Sequence, residues 1–475
     1  MKQRIIGRIK EQRILETLYR SDSSEFVAVY GRCRVGKTFL VHECFDGQFI
    51  FEVSGLANRN TIQQLENFRN AFQRFGGVQP QRFKNWQEAF EALIKYVMNS
   101  RKKRKLIFFD ELPWMDTPKS NFISALEGFW NGWAAGRHDI ILVVCGSATS
   151  WITNNLINNH GGLHNRLTRQ IYLRPFSLAE SQLFLLNRHI ILSSYELAVC
   201  YMIFGGIPYY LNLIEGTSSL SQNIDSLVFD RNGELHYEFN NLYAALFKNS
   251  QDYIKVVEAL GRRRDGLTRK EIQDVCGFKS GGSFSTILDN LEHCGFIRQY
   301  SMIGNGRRTC VYQLVDFFTL FYLHFLKDKH QNSSDYWQSI QGTSKFYSWA
   351  GLTFELLVLC HIDQLKQALG IQGVASEEYA YRTHTEKNVD AQIDLMIDRK
   401  DNTISLCEAK FTEGSYVFSQ EEELKLRNRM LAVRAVCAKH KTIQLVLITT
   451  FGVAGGNLRG VVNREITLDD LIKGN

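Results

Sequence analysis

Proline is scarce: the 475 residues hold only five, Pro80, Pro113, Pro118, Pro175 and Pro208, all in the first 210. No low-complexity tract or internal repeat appears, which excludes solenoid and linker-dominated architectures. The ten cysteines are scattered, with no CxxC and no clustered spacing. That excludes a zinc-ribbon or disulfide framework, and Cys145, Cys200, Cys360 and Cys407 sit in apolar runs that suit buried thiols. No stretch is long and apolar enough for a membrane span. LFLLNRHIILSSYELAVCYMIF is interrupted by Asn187, Arg188, His189 and Glu196, and the basic start MKQRIIGRIKEQR lacks the apolar core of a signal peptide. No membrane partner is expected, and the expected location is the cytoplasm. The net charge of +7 is spread along the chain, so it permits an anionic polymer as partner without requiring one.

What is present is a chain of ordinary globular composition, 44% hydrophobic and 22% charged. Its length suggests about three domains. In residues 1–176 the near-continuous apolar runs FVAVY, FIFEV, KLIFFD and IILVVCG alternate with the helical patterns ENFRNAFQRF and WQEAFEALIKYVMN. Runs of that kind suit strands buried on both faces of a parallel sheet, so the expected class is α/β. Residues 177–250 read as helical and 251–315 as short helices followed by a hairpin. Residues 316–475 mix a strong helix (354–369) with alternating strands, the last being QLVLITT.

GRCRVGKT, residues 31–38, fits G-x-x-x-x-G-K-[ST], with an apolar strand before it and the helix-like FLVHECF after it. In such a loop the backbone N–H groups of Gly31, Arg32, Cys33, Arg34, Val35 and Gly36 wrap phosphates at a helix N-terminus. Lys37 would reach the β and γ phosphates of ATP, and Thr38 would ligate Mg²⁺. LIFFDEL supplies Asp110 at a strand end as a second Mg²⁺-shell residue and Glu111 as a base that orients the attacking water.

IIGRIKEQRILETL, VYGRCRVGKTFL, FFDELPWM, VVCGSATSWI, HNRLTRQIYLRPFS and GGIPYYL occur in this order. Together they resemble the motifs of the archaeal-type ATPases, P-loop proteins near the AAA+ and STAND groups. The resemblance implies three further roles. Ser147 would sense the γ-phosphate, Arg166 would act as an arginine finger on a neighbouring copy in a homo-oligomer, and Pro208 of Gly206-Ile207-Pro208 would lie in a lid near the adenine.

LTRKEIQDVCG, SGGSFSTILDNLEHCGFI and RQYSMIGNGRRTCVYQL read as helix, second helix and a two-stranded wing. Ser283, Ser285, Thr286 and Asn290 give the second helix a polar face. Arg307 and Arg308 stand at the wing tip, and Arg262 to Arg264 lie upstream. A winged helix of this kind binds DNA or serves as a spacer that touches protein.

The sequence holds three D/E-x-K triplets, about the number expected by chance. Only Glu408-Ala409-Lys410 lies on an apolar strand, TISLCEAKF, where alternation puts both side chains on one face. The strand AQIDLMID carries Asp394 and would pair with it as a hairpin through DRKDN. Glu355 sits among apolar residues on the helix upstream. Asp394 and Glu408 would bind Mg²⁺, Glu355 would complete the shell, and Lys410 would orient water or stabilise developing charge.

This set looks like the PD-(D/E)xK restriction-endonuclease superfamily, found as a C-terminal domain on many archaeal-type ATPases. The expected plan is therefore a P-loop core (1–176), a helical lid (177–250), a winged helix-turn-helix (251–315) and a nuclease-like domain (316–475). The expected function is ATP hydrolysis coupled to DNA binding and Mg²⁺-dependent phosphodiester cleavage. The alternative is a nucleotide-dependent switch whose nuclease-like domain binds without cutting.

Overall fold

The computed structural model describes residues 5–76, 80–159, 161–263, 265–279, 281–304, 307–327, 335–383, 391–417, 419–437, 440–454 and 460–473. Two compact units divide the chain, Met1–Arg174 and Pro175–Asn475.

The first unit is built on a five-stranded sheet in the order β2-β3-β4-β1-β5, with every neighbouring pair parallel. Its strands are β1 (Glu25–Tyr30), β2 (Phe51–Ser54), β3 (Lys105–Asp110), β4 (Ile140–Gly146) and β5 (Arg169–Tyr172). β3 and β4 are buried at every residue, as expected of runs without polar alternation. On one face the helices Thr61–Arg74 and Trp86–Met98 present Phe68, Phe72, Trp86 and Phe90 to Phe51 and Phe109. Each of these helices begins at an asparagine whose side chain accepts an otherwise orphan backbone N–H: Asn60 from Gln63 and Asn85 from Glu88. β5 was not expected from the sequence. It is four residues long and exposed at three of them, so it lacks the apolar run that marks the other strands.

The second unit opens with the helices Leu178–Asn187, Ser194–Phe204 and Pro208–Asn212, and later Ser250–Gly261, Arg269–Cys276 and Gly282–His293. It also contains a seven-stranded sheet in the order β12-β11-β10-β9-β8-β6-β7. The strands are β6 (Ile297–Gly304), β7 (Arg307–Leu314), β8 (Ser376–Thr383), β9 (Ala391–Arg399), β10 (Thr403–Lys410), β11 (Thr442–Thr449) and β12 (Arg464–Thr467). β6 and β7 are the two strands read as a wing. The same sheet continues through parallel pairing of β6 with β8, Met302 with Ala380 and Ile303 with Tyr381. β8, β9 and β10 form an antiparallel meander, and the helix Gln420–Val436 then crosses over to β11, parallel to β10.

Three details depart from the sequence reading. The helix expected over 354–369 is two helices, Ser344–Cys360 and Ile362–Leu369, which meet at the buried His361. The strand containing QLVLITT is followed by β12 and a last helix, Leu468–Lys473. Cys145, Cys200 and Cys407 are buried as expected, but Cys360 is exposed, because it ends its helix on the solvent side. No helix among the described residues is long and apolar enough to cross a membrane.

Candidate functional site

The loop between β1 and the helix Lys37–Phe45 has the geometry its glycines permit. Gly31 has φ +148°, and a Cβ there would stand 2.4 Å from the Leu173 carbonyl oxygen. Gly36, at φ +88°, is the left-handed N-cap of the helix. Lys37 is buried, and its ammonium donates to the carbonyls of Gly31 (3.0 Å) and Arg32 (2.8 Å) and to Ser147 Oγ (2.8 Å).

Ser147, just beyond the end of β4, in turn donates through Oγ to Glu111 Oε1 (2.5 Å) and through its N–H to Oε2 (3.1 Å). The chain Lys37–Ser147–Glu111 thus joins residues from three separate stretches of the sequence, with Ser147 lying 110 positions from Lys37 and 36 from Glu111. Thr38 Oγ1 lies 3.1 Å from both carboxylate oxygens of Asp110. That juxtaposition of a hydroxyl and a carboxylate beside a phosphate loop fits a shared Mg²⁺ shell. Burial raises the pKa of Asp110, the neighbouring Glu111 charge adds to the rise, and the Thr38 hydrogen bond opposes it. Burial also raises the thiol pKa of Cys33, in the loop itself.

Residues 6–214 match a family described as an ATPase domain predominantly from Archaea. This part of the chain is an archaeal-type ATPase domain. An uncharacterised protein of Methanocaldococcus jannaschii is 24% identical over 327 residues, 68% of this chain and 68% of that protein. Among solved structures, a Walker-type ATPase of Pyrococcus abyssi is similar at a TM-score of 0.45 and 16% identity, over 67% of this chain and 96% of that one. The ORC2 protein of Aeropyrum pernix, solved in ADPNP–ADP complexes, is similar at a TM-score of 0.45 and 13% identity, over 68% and 94%.

Two more expected residues lie on other elements. Arg166 is exposed in the turn before β5. Pro208, in the second unit, opens the helix Pro208–Asn212 just after Gly206, whose φ of +66° and closeness to the Phe176 carbonyl exclude a side chain.

In the second unit Glu408 and Lys410 share a face of β10, with Lys410 Nζ 2.9 Å from Glu408 Oε1. Arg429, on the helix Gln420–Val436, donates to the other oxygen, Oε2, at 2.6 Å. Sequence reasoning does not single out Arg429. The signal available was that a crossover helix between parallel strands must lie over the sheet, but nothing indicated which of its basic residues would turn inward.

β9 and β10 pair as far as Leu395 with Cys407, where the described ladder ends; Asp394 is the next residue on β9, at a register shift between β9 and β8. The side chain of Asp394 lies outside the described residues. Glu355 lines a cavity of about 340 Å³ with Arg298, His324, Lys327 and Ile393, and neither Glu408 nor Lys410 is among its walls. Among the described residues no three metal-ligating side chains meet.

The polar face of the helix Gly282–His293 is partly committed inside the unit. Asn290 donates to Tyr253 Oη at 2.7 Å, and Ser285 accepts from Arg269 at 2.8 Å. Ser283 and Thr286 are exposed, as is the acidic Asp289. Arg264 and the side chains of Arg307 and Arg308 lie outside the described residues.

Proposed function

We propose that the ATPase domain drives a nucleic-acid-handling second unit whose C-terminal module cleaves phosphodiesters. The ATPase half rests on the Lys37–Ser147–Glu111 chain beside Thr38 and Asp110. ATP would place its phosphates in the 31–38 loop, and Lys37 would leave the carbonyls of Gly31 and Arg32 for the β and γ oxygens. Thr38 and Asp110 would hold Mg²⁺, which supplies charge neutralisation at the phosphates. As Lys37 moves, Ser147 would be released towards the γ-phosphate, and Glu111 would be free to orient water. Arg166, exposed in its turn, is reachable by a second copy and would complete the site in a homo-oligomer, with Pro208 near the adenine.

The cleavage half is supported by the order helix, three-stranded meander, crossover helix, parallel strand, with Glu408 and Lys410 on β10 and Asp394 next to Leu395, the last β9 residue paired with β10. Asp394 and Glu408 would be the Mg²⁺ ligands and Lys410 the charge-stabilising residue. Glu355, on the helix Ser344–Cys360, would complete the shell from a cavity that Ile393, the neighbour of Asp394, also lines. The winged segment would contact DNA through Ser283 and Thr286.

A second reading, a nucleotide-dependent switch whose C-terminal module binds without cutting, is favoured by one observation: both oxygens of Glu408 are held by cations.

Two measurements decide between these readings. Lys37→Ala should abolish ATP turnover and Glu111→Gln should lower it by two to four orders of magnitude, about the range for a lost general base. Unchanged turnover in Lys37→Ala would refute the nucleotide site. Plasmid or oligonucleotide DNA incubated with Mg²⁺ and ATP should be cut by wild type and not by Lys410→Ala; equal trace cleavage leaves the switch.

A further inference from the structure

Lys410 and Arg429 reach Glu408 from different elements, one on the same strand and one from the crossover helix, and each takes its own carboxylate oxygen. The Glu408 side chain is 14% exposed, while Lys410 and Arg429 are each 31% exposed. The carboxylate therefore sits behind two cations that solvent can reach. Of the other basic residues along this helix, Lys425 pairs with Glu421 and Arg427 with Glu423, each one turn away, and Arg434 donates to the Lys441 carbonyl. Glu422 is the second carboxylate near Lys410. Its Oε1 accepts the hydroxyl of Tyr416 at 2.6 Å and its Oε2 accepts the N–H of Ser419 at 3.3 Å, so it is committed elsewhere.

We infer that Lys410 and Arg429 form a binding site for a backbone phosphate of nucleic acid, that Glu408 fills this site until a phosphate arrives, and that phosphate and a divalent cation consequently bind the module cooperatively. A phosphodiester carries one negative charge over two free oxygens, the same charge and fork that the Glu408 carboxylate presents. Arginine binds either group through paired donors, and lysine serves as a point charge beside it. Once a phosphate has drawn both cations forward, Glu408 is left as a largely buried anion without a counter-charge, an unfavourable state that a divalent cation relieves.

The converse holds by linkage: a cation on Glu408 displaces Arg429 and Lys410 and leaves them for the phosphate, by the same factor. The metal half of this inference rests on the cleavage reading proposed above. The phosphate half does not.

The test uses the full chain. Calorimetric titration with Ca²⁺, which takes the same oxygen ligands, is run with and without a short single-stranded oligonucleotide. Heat lost in Glu408→Gln identifies this site and separates it from Thr38 and Asp110. In wild type the oligonucleotide should tighten Ca²⁺ binding about tenfold, within the usual range of coupling between sites. Arg429→Met should bind Ca²⁺ that tightly without the oligonucleotide and gain nothing further from it, and Arg429→Lys should fall between.

If Arg429→Met shows the wild-type affinity under both conditions, the inference is wrong while the metal site stands. If no protein shows Glu408-dependent heat, the metal reading and the cooperativity both fail. The phosphate half is then decided by oligonucleotide binding in EDTA. There Lys410→Met and Arg429→Met should each weaken binding and flatten its salt dependence by about one contact. An unchanged slope overturns the phosphate site. Melting temperatures near wild type exclude misfolding as the cause of any of these changes.

Discussion

His361 is fully enclosed where two helices of the second unit meet, and both of its ring nitrogens are committed. Nδ1 donates to the Leu357 carbonyl at 2.8 Å, and Nε2 accepts the backbone N–H of Leu178 at 3.0 Å, one of the orphan donors at a helix start. Burial lowers its pKa to about 4, because a charged imidazole would lose solvation and clash with the N–H of Leu178. The sign follows from proton counting: between about 4 and 6.5 the unfolded chain binds the proton that the folded one refuses, so stability falls as pH falls through that window. The whole effect is about 3 kcal/mol at most. Denaturant midpoints of the second unit should decline from pH 6.5 to pH 4 by a corresponding amount. His361→Gln, which keeps a donor and an acceptor but does not titrate, should remove that slope.

The helix Gly282–His293 shows at the level of an element what a sequence pattern leaves undecided. Its four polar residues share a face, yet Asn290 is engaged by Tyr253 and Ser285 by Arg269, which leaves Ser283 and Thr286 towards solvent. Ser283→Ala with Thr286→Ala should therefore weaken DNA binding in an anisotropy assay. Asn290→Ala should instead cost about 1 kcal/mol in chemical denaturation and leave DNA affinity unchanged. Periodicity told the strands and helices of the first unit apart because β1, β3 and β4 are buried on both faces and their sequences say so. It missed β5, whose pairing with β1 is made by backbone rather than by an apolar run. The phosphate loop was legible for a similar reason: its residues are consecutive, and the glycines are demanded by local φ. The link from Ser147 to Glu111 and the approach of Arg429 to Glu408 were not legible, because both depend on which rotamer meets which across the fold.

At the scale of the molecule, two compact units predict two unfolding events. MgATP at a hundredfold excess over its dissociation constant should raise the transition of the first unit by the equivalent of about 2.7 kcal/mol, read by calorimetry. Lys37→Ala should abolish that rise. In the second unit, β6 and β7 pair along eight residues each, whereas the described pairing of β6 with β8 covers Met302–Ala380 and Ile303–Tyr381. Among the described residues, this short parallel seam stitches the strands of the winged segment to the part of the sheet that bears Glu408 and Lys410. In mechanical terms it is a tear line. A tug on the winged segment is borne by two rungs there and by eight in the hairpin, so under tension the hairpin would come away whole before it unravelled.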